Sequence, residues 1–226
     1  MHKMRKWPVA VMWHFKNSRG IIRMYMVMFL LVVPFFALLF FDFSQNNDYD
    51  LSFSYSVYTM ITVSSVLGFI PIMVVLSDIY SSGMRECVIS KKDWDERLPY
   101  LTVYIFSAFI YIIMSIIMRL IVHAYEKPNL IFKYIASLLV ILWVSTTLAH
   151  LLVALTKTVF IALVALEIYG IICQIMKLGI GHIINIYTLC DISDKSWVIY
   201  AIIYIALGTF CEFMVGKLNA SQALSK

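Results

Sequence analysis

The feature that most constrains this chain is a succession of unbroken apolar runs, each about 20 residues long and separated by short polar stretches. The first, MYMVMFLLVVPFFALLFFD at 24–42, sets the pattern. An α-helix rises about 1.5 Å per residue, so about 20 residues cross the roughly 30 Å hydrocarbon core of a bilayer. Within hydrocarbon the backbone must satisfy its own hydrogen bonds, and a helix does so within one segment. The runs therefore predict an all-α membrane protein with transmembrane helices at 24–42, 54–77, 100–123, 131–154, 158–177 and 196–216. Pro34 and Pro71 fall inside spans and are expected to kink helices 1 and 2.

Composition excludes the water-soluble alternative. The chain is 62% hydrophobic and 14% charged, with mean hydropathy +0.87. Soluble domains average about 45–50% apolar and about 25% charged residues. Too few charges remain to coat a soluble surface, so residues 1–226 are expected to form a single transmembrane domain. The basic stretch before the first run superficially suggests a signal peptide. The run is too long for one and no small-residue cleavage site precedes Ser44, so it reads as a retained span. Cys87, Cys173, Cys190 and Cys211 lie in separate segments without metal or CxxC spacing, which predicts packed or lipid-facing thiols.

Basic residues give the orientation. With the N-terminus inside, Lys3, Arg5, Lys6, Lys16, Arg19, Arg23, Arg85, Lys91, Lys92, Arg97, Lys157, Lys217 and Lys226 all fall on the cytoplasmic side. Of the 18 basic residues, that leaves Arg119, Lys127, Lys133, Lys177 and Lys195 outside. The positive-inside rule then predicts a multi-pass inner (plasma) membrane protein, bacterial in type, with both termini cytoplasmic.

Three segments do not span. In residues 3–23, Met4, Trp7, Val11, Phe15 and Ile22 share one helical arc, while Arg5, Lys16, Arg19 and Arg23 share another. A basic, aromatic helix of this kind lies on membrane lipid, with Trp7, Phe15, Lys16, Arg19 and Arg23 at the interface; a disordered basic tail is the alternative. Residues 77–100, SDIYSSGMRECVISKKDWDERLPY, are far longer than a reversal of direction needs. Ser81 and Ser82 can cap a short helix there, and Met84, Val88 and Ile89 would give it an apolar edge for a soluble partner; a solvated loop is the alternative. Residues 178–195, LGIGHIINIYTLCDISDK, are too apolar for an ordinary loop and too short for a span. They read as a re-entrant or interfacial segment on the outer side, against a loop lying flat.

In combination these features resemble the membrane (permease) subunit of a type-2 ATP-binding-cassette transporter. That family has an N-terminal interfacial elbow helix, six spans, a coupling helix after span 2, and a re-entrant outer segment between spans 5 and 6. The closest local match is D-x-x-S-S-G-M-R-E-C-V-I-S-K at 78–91. The family often places Pro-x-x-Arg after the apolar stretch, where Ser90, Lys91 and Lys92 stand here. The resemblance implies that Asp78, Ser82, Gly83, Met84, Arg85, Glu86, Val88 and Ile89 couple the helices to a soluble ATPase subunit. That partner would carry the ATP and Mg, since no G-x-x-x-x-G-K-[ST] loop occurs in this chain. It further implies a homodimer with a translocation path between protomers, and no nucleic acid partner. Compact size and Met- and aromatic-rich helices favour amphipathic peptides as cargo in export or self-protection, with lipid, polysaccharide and drug export as alternatives.

Ionisable residues in spans are functional candidates by default. Glu167, about ten residues into helix 5, is the costliest placement; it lines the path or is bonded to a neighbour such as Tyr169. His150 is expected to hold an interfacial structural position, and Arg119 and Glu212 to reach water from span ends. No HExxH, GxSxG or paired-Asp motif places a nucleophile beside a base. Catalysis in this chain is therefore not expected, and neither is a metal or other cofactor of its own. An intramembrane enzyme or a non-transporting anchor subunit remains the alternative class.

Overall fold

The computed structural model describes residues 30, 76, 104, 105, 107–109, 112, 113, 116, 128–175 and 185–224. Their elements are α1 (Pro128–Thr156), α2 (Val159–Ile175), a 3-10 turn (Ile186–Asp191) and α3 (Asp194–Leu224). Every described element is helical, and α1 and α3 each contain a 25-residue stretch long and apolar enough to cross a membrane, Phe132–Thr156 and Asp194–Leu218. At 17 residues α2 is shorter, about 25 Å along its axis. The segments at 3–23 and 77–100 lie outside the described residues, with Trp7, Phe15, Lys16, Arg19, Arg23 and the coupling residues Asp78, Ser82, Gly83, Met84, Arg85, Glu86, Val88 and Ile89. So do helices 1 and 2 apart from Leu30 and Leu76, and with them the six-span count.

Helix ends follow local chemistry, which is why they differ by a few residues from the limits of the apolar runs. Pro128 opens α1 at the first helical position, where the missing N–H costs nothing. Ser193 precedes α3, and its carbonyl accepts the backbone N–H groups of Ser196 (3.0 Å) and Trp197 (2.8 Å). At the end of α1 the Lys157 N–H reaches the Val153 carbonyl (2.8 Å) and Lys157 adopts φ 56°, a left-handed conformation that stops the helix. The Thr158 hydroxyl donates to the Thr156 carbonyl (3.1 Å), and α2 starts at the next residue. A left-handed non-glycine residue is strained by about 1 kcal/mol. Lys157→Gly is accordingly expected to raise stability by roughly 0.5–1 kcal/mol in a detergent-unfolding titration. A loss of stability would show that the lysine side chain contributes more than its backbone strain costs.

The turn folds α2 back antiparallel to α1. Ala149 and Val153 of α1 pack on Ala162 and Leu166 of α2, and the fully buried Leu76 completes this cluster. By contrast, α1 and α3 run parallel. Lys133 meets Asp194, Ser137 meets Trp197, Trp143 and Thr147 meet Gly208, and His150 meets Glu212. The partner numbers rise together along the two helices, which only a parallel pair allows. Parallel neighbours require the chain between them to travel back along the whole length of the pair, and α2 supplies most of that return.

The faces divide sharply. The middle of α1 is enclosed nearly all round, with Leu138, Ile141, Leu142, Val144, Ala149 and Val153 buried. In α3 the buried stripe is Ala201, Tyr204, Gly208, Cys211, Glu212 and Val215, spaced at three and four residues. The rest of α3 exposes Ile199, Ile202, Ile203, Phe210 and Phe213. Such a broad apolar exterior suits a hydrocarbon surround rather than water.

Candidate functional site

The polar groups of the described helices are concentrated along the seam between α1 and α3. At one end the Lys133 ammonium donates to the Ile192 carbonyl (2.6 Å) and to Asp194 Oδ1 (2.9 Å), and the Asp194 side chain is 90% exposed. One turn further in, Trp197 Nε1 donates to the buried Ser137 hydroxyl at 2.7 Å. The Thr146 hydroxyl donates back to the Leu142 carbonyl (2.6 Å) and that of Thr147 to Trp143 O (3.0 Å), so their donors are satisfied within α1.

At mid-length the backbones come close because α3 carries no side chain there. A Cβ on Gly208 would lie 2.6 Å from Trp143 Nε1, 2.7 Å from its Cδ1 and 3.0 Å from Thr147 Oγ1. The other side of the Trp143 indole meets Tyr104, edge-on at a centroid distance of 5.2 Å. The Tyr104 hydroxyl in turn donates to the Leu139 carbonyl at 3.4 Å. Trp143 Nε1 is enclosed without a hydrogen-bond acceptor among the described residues.

Towards the other end, His150 Nδ1 lies 3.1 Å from Glu212 Oε1. His150 is 1% exposed and Glu212 7%. Each sits six residues past the centre of its apolar stretch, about 9 Å from mid-depth and well inside a half-thickness of about 15 Å. Because the helices are parallel, equal offsets bring the two residues to one level. This corrects the expectation that Glu212 reaches water from a span end. It turns into the α1–α3 seam, where His150 lies beside it and a buried carboxyl needs a donor. Glu212 Oε2 is enclosed without a hydrogen-bond partner among the described residues.

Glu167 falls at the centre of α2. It sits on the flank of the helix, between the packed stripe of Ala162, Leu166 and Cys173 and the exposed stripe of Val164, Ile168 and Ile171. Tyr169 is not its partner, because residues two apart on a helix point away from each other. The Tyr169 hydroxyl hydrogen-bonds the Cys173 side chain and the Ile186 backbone instead.

That contact belongs to a second polar cluster, which fastens the end of α2 to the described half of the 178–195 segment. The Asn185 amide donates from Nδ2 to the Cys173 carbonyl (2.5 Å) and accepts the Tyr187 N–H at Oδ1 (3.1 Å). Cys173 is in the last turn of α2, where carbonyls lack intrahelical donors, so Asn185 works as a cap supplied from beyond the helix. The Thr188 hydroxyl adds a bond to the Asn185 carbonyl (2.8 Å). Ile186, Tyr187, Leu189 and Ile192 are buried, so this stretch is packed against its neighbours. Cys173 and Cys211 are buried thiols outside any disulfide.

Of the ionisable residues singled out by sequence, the structure thus describes His150, Glu167 and Glu212, and it leaves Glu167 apart from the His150–Glu212 pair. Sequence reasoning missed that pair, the Asn185 cap and the Gly208 contact. For the pair a signal existed: each lies four residues before the end of its predicted span, 131–154 or 196–216, and those two spans are predicted to run in the same direction. Among the described residues no three His, Cys, Asp or Glu side chains converge as a metal site requires. No known family model, no curated protein and no solved structure matches this chain.

Proposed function

We propose that this chain is the permease subunit of an ATP-driven exporter, embedded in the cell membrane as a homodimer and driven by a separate soluble ATPase. The observation that carries the reading is the pattern of non-spanning segments: a basic aromatic start, a long mixed-charge loop directly after span 2, and an apolar segment between spans 5 and 6. The motif at 78–91 resembles the coupling element of that family as far as Ile89, with Ser90, Lys91 and Lys92 in place of its Pro-x-x-Arg.

Packing near the loop supports a mechanical link. Leu76, two residues before Asp78, is completely buried among Ala149, Val153, Ala162 and Leu166, close to the tight turn that joins α1 to α2. A side chain wedged in this way transmits displacement, because packed interiors yield little. Closure of the ATPase against residues 78–91 would then press on the α1–α2 seam. Glu167, at mid-depth on the edge of the exposed α2 face, is the candidate for the path, where a carboxylate attracts a basic group on an amphipathic peptide.

The test is a search for an ATPase with the phosphate-binding loop in a neighbouring gene, then its co-expression with this chain and capture of the complex. Replacing residues 84–89 with a Gly/Ser linker is expected to abolish capture and the coupled rise in ATP hydrolysis. If both persist, the coupling assignment is wrong. In a vesicle transport assay Glu167→Gln should slow uptake of a cationic peptide, and unchanged transport removes Glu167 from the path.

A further inference from the structure

At one end of the described structure α1 and α3 begin and α2 finishes, and one short stretch of chain meets all three. It is the 3-10 turn Ile186–Asp191, with Asn185 before it and Ile192 and Ser193 after it. From α2 this strap is held by two bonds: the Asn185 amide donates to the Cys173 carbonyl, and the Tyr169 hydroxyl bonds the Ile186 backbone. The Tyr169 and Tyr187 rings also meet, 6.2 Å between centroids. From α1 it is held by the Lys133 ammonium, which donates to the Ile192 carbonyl at 2.6 Å.

Chain connectivity makes the strap decisive for α2. At its other end α2 is joined to α1 by two residues, Lys157 and Thr158, and packs there through Ala162 and Leu166 on Ala149 and Val153. At the strap end, residues 176–184 separate Ile175 from Asn185, and a chain of that length can reach about 30 Å. The strap itself runs without a gap into α3 at Asp194. Noncovalent contact with the strap therefore decides whether this end of α2 stays with the α1–α3 pair.

Between its ties the strap is stiff. Asn185 Oδ1 accepts the Tyr187 N–H (3.1 Å), and the Thr188 hydroxyl (2.8 Å) and N–H (3.2 Å) both close on the Asn185 carbonyl. Asn185, Ile186, Leu189 and Ile192 are each at most 7% exposed. A short segment packed and bonded in this way moves as a unit, because packed interiors yield little. The Lys133 tie is the stronger of the two, since its donor is charged and that of Asn185 is neutral. The Asp194 carboxylate adds little to it, being 90% exposed.

We propose that residues 185–193 are a latch: a rigid strap, closed by Lys133 of α1 and by Asn185 on the end of α2, that opens as one piece and frees α2 to swing from the α1–α3 pair about the Lys157 turn. The two ties are 59 and 12 residues long in sequence and lie on different helices, yet breaking one weakens the other through the strap. The latch adds a conformational device to the chain and does not depend on the exporter reading.

The experiment reads Cys173 alkylation by N-ethylmaleimide in the detergent-solubilised full chain, with each cysteine quantified by mass spectrometry. Cys173 is 3% exposed with its carbonyl under Asn185, so its rate follows the population in which the strap has lifted. Cys211, 5% exposed in the buried stripe of α3, reports opening of the α1–α3 seam instead. Lys133→Met keeps the length of the side chain and removes its donor. It is expected to raise the Cys173 rate about tenfold or more, the effect of losing a charged hydrogen bond, and to leave the Cys211 rate within about twofold. An unchanged Cys173 rate would show that the α1 tie does not hold the strap on α2, and would sink the latch. Equal rises at both cysteines would mean a general loosening and would sink it too. If Lys133→Met fails to fold, the wild type is alkylated at rising denaturant, where Cys173 should become reactive at a lower concentration than Cys211. Reaction of both at the same concentration is then the overturning result.

Discussion

Replacing His150 with leucine alone should destabilise the folded chain by about 3–5 kcal/mol, because it removes the one donor to the buried Glu212 carboxyl among the described residues. His150 is 1% exposed and Glu212 7%, so water does not reach the abandoned group without the helices parting. Replacing both residues, as His150→Leu/Glu212→Met, removes the charge along with its partner and should recover most of that loss. Apolar residues in place of a buried pair are often neutral or stabilising. The measurement is a pair of single variants and the double in one unfolding titration, read as a coupling energy. A double variant as unstable as His150→Leu would mean that the imidazole acts through its volume and not through its bond to Glu212.

The second large effect is expected at Gly208. An added Cβ would lie 2.6 Å from the Trp143 indole nitrogen, well inside contact distance. The indole cannot swing freely, since Tyr104 packs against it at 5.2 Å between ring centroids. Gly208→Ala should therefore cost on the order of 1–3 kcal/mol, and Gly208→Leu at least as much, by forcing α3 away from α1. Lifting α3 also lengthens the His150–Glu212 and Trp197–Ser137 bonds, which sit on either side of the contact. Combining Gly208→Ala with Trp143→Leu should cost less than the sum of the single changes, because the methyl enters space vacated by the indole. Strict additivity would show that the two residues do not share a contact.

The helices themselves were readable from the chain. The runs at 131–154 and 196–216 correspond to α1 and α3, whose observed limits extend two or three residues further, except that α3 runs on to Leu224. Extension follows from capping residues such as Pro128 and Ser193, which apolar counting ignores. The segment at 178–195 was recognisable as too apolar for a loop, and its described half is packed. Its attachment to α2 was not recognisable, because nothing in the neighbourhood of Asn185 indicates a bond to a carbonyl twelve residues earlier. Glu167 stood out from sequence alone, since a carboxyl in the middle of an apolar run is conspicuous wherever the helix packs.

Glu212 shows where sequence reading stops. Its distance from the end of the apolar run suggested a side chain reaching for water, and His150 invited an interfacial structural position. Both are energetically reasonable for a helix considered alone. The sequence by itself determined that the chain forms long apolar helices, because about 20 apolar residues leave the backbone no other way to satisfy its hydrogen bonds in hydrocarbon. Only the tertiary structure decided that α1 and α3 lie parallel and in contact at Gly208, bringing together two ionisable residues 62 positions apart. Helix formation is a local balance of hydrogen bonds and hydropathy. Pairing depends on which faces meet and at what level, and for His150 and Glu212 that is set by the close fit at Gly208 on one side and by the length of the α2 return on the other.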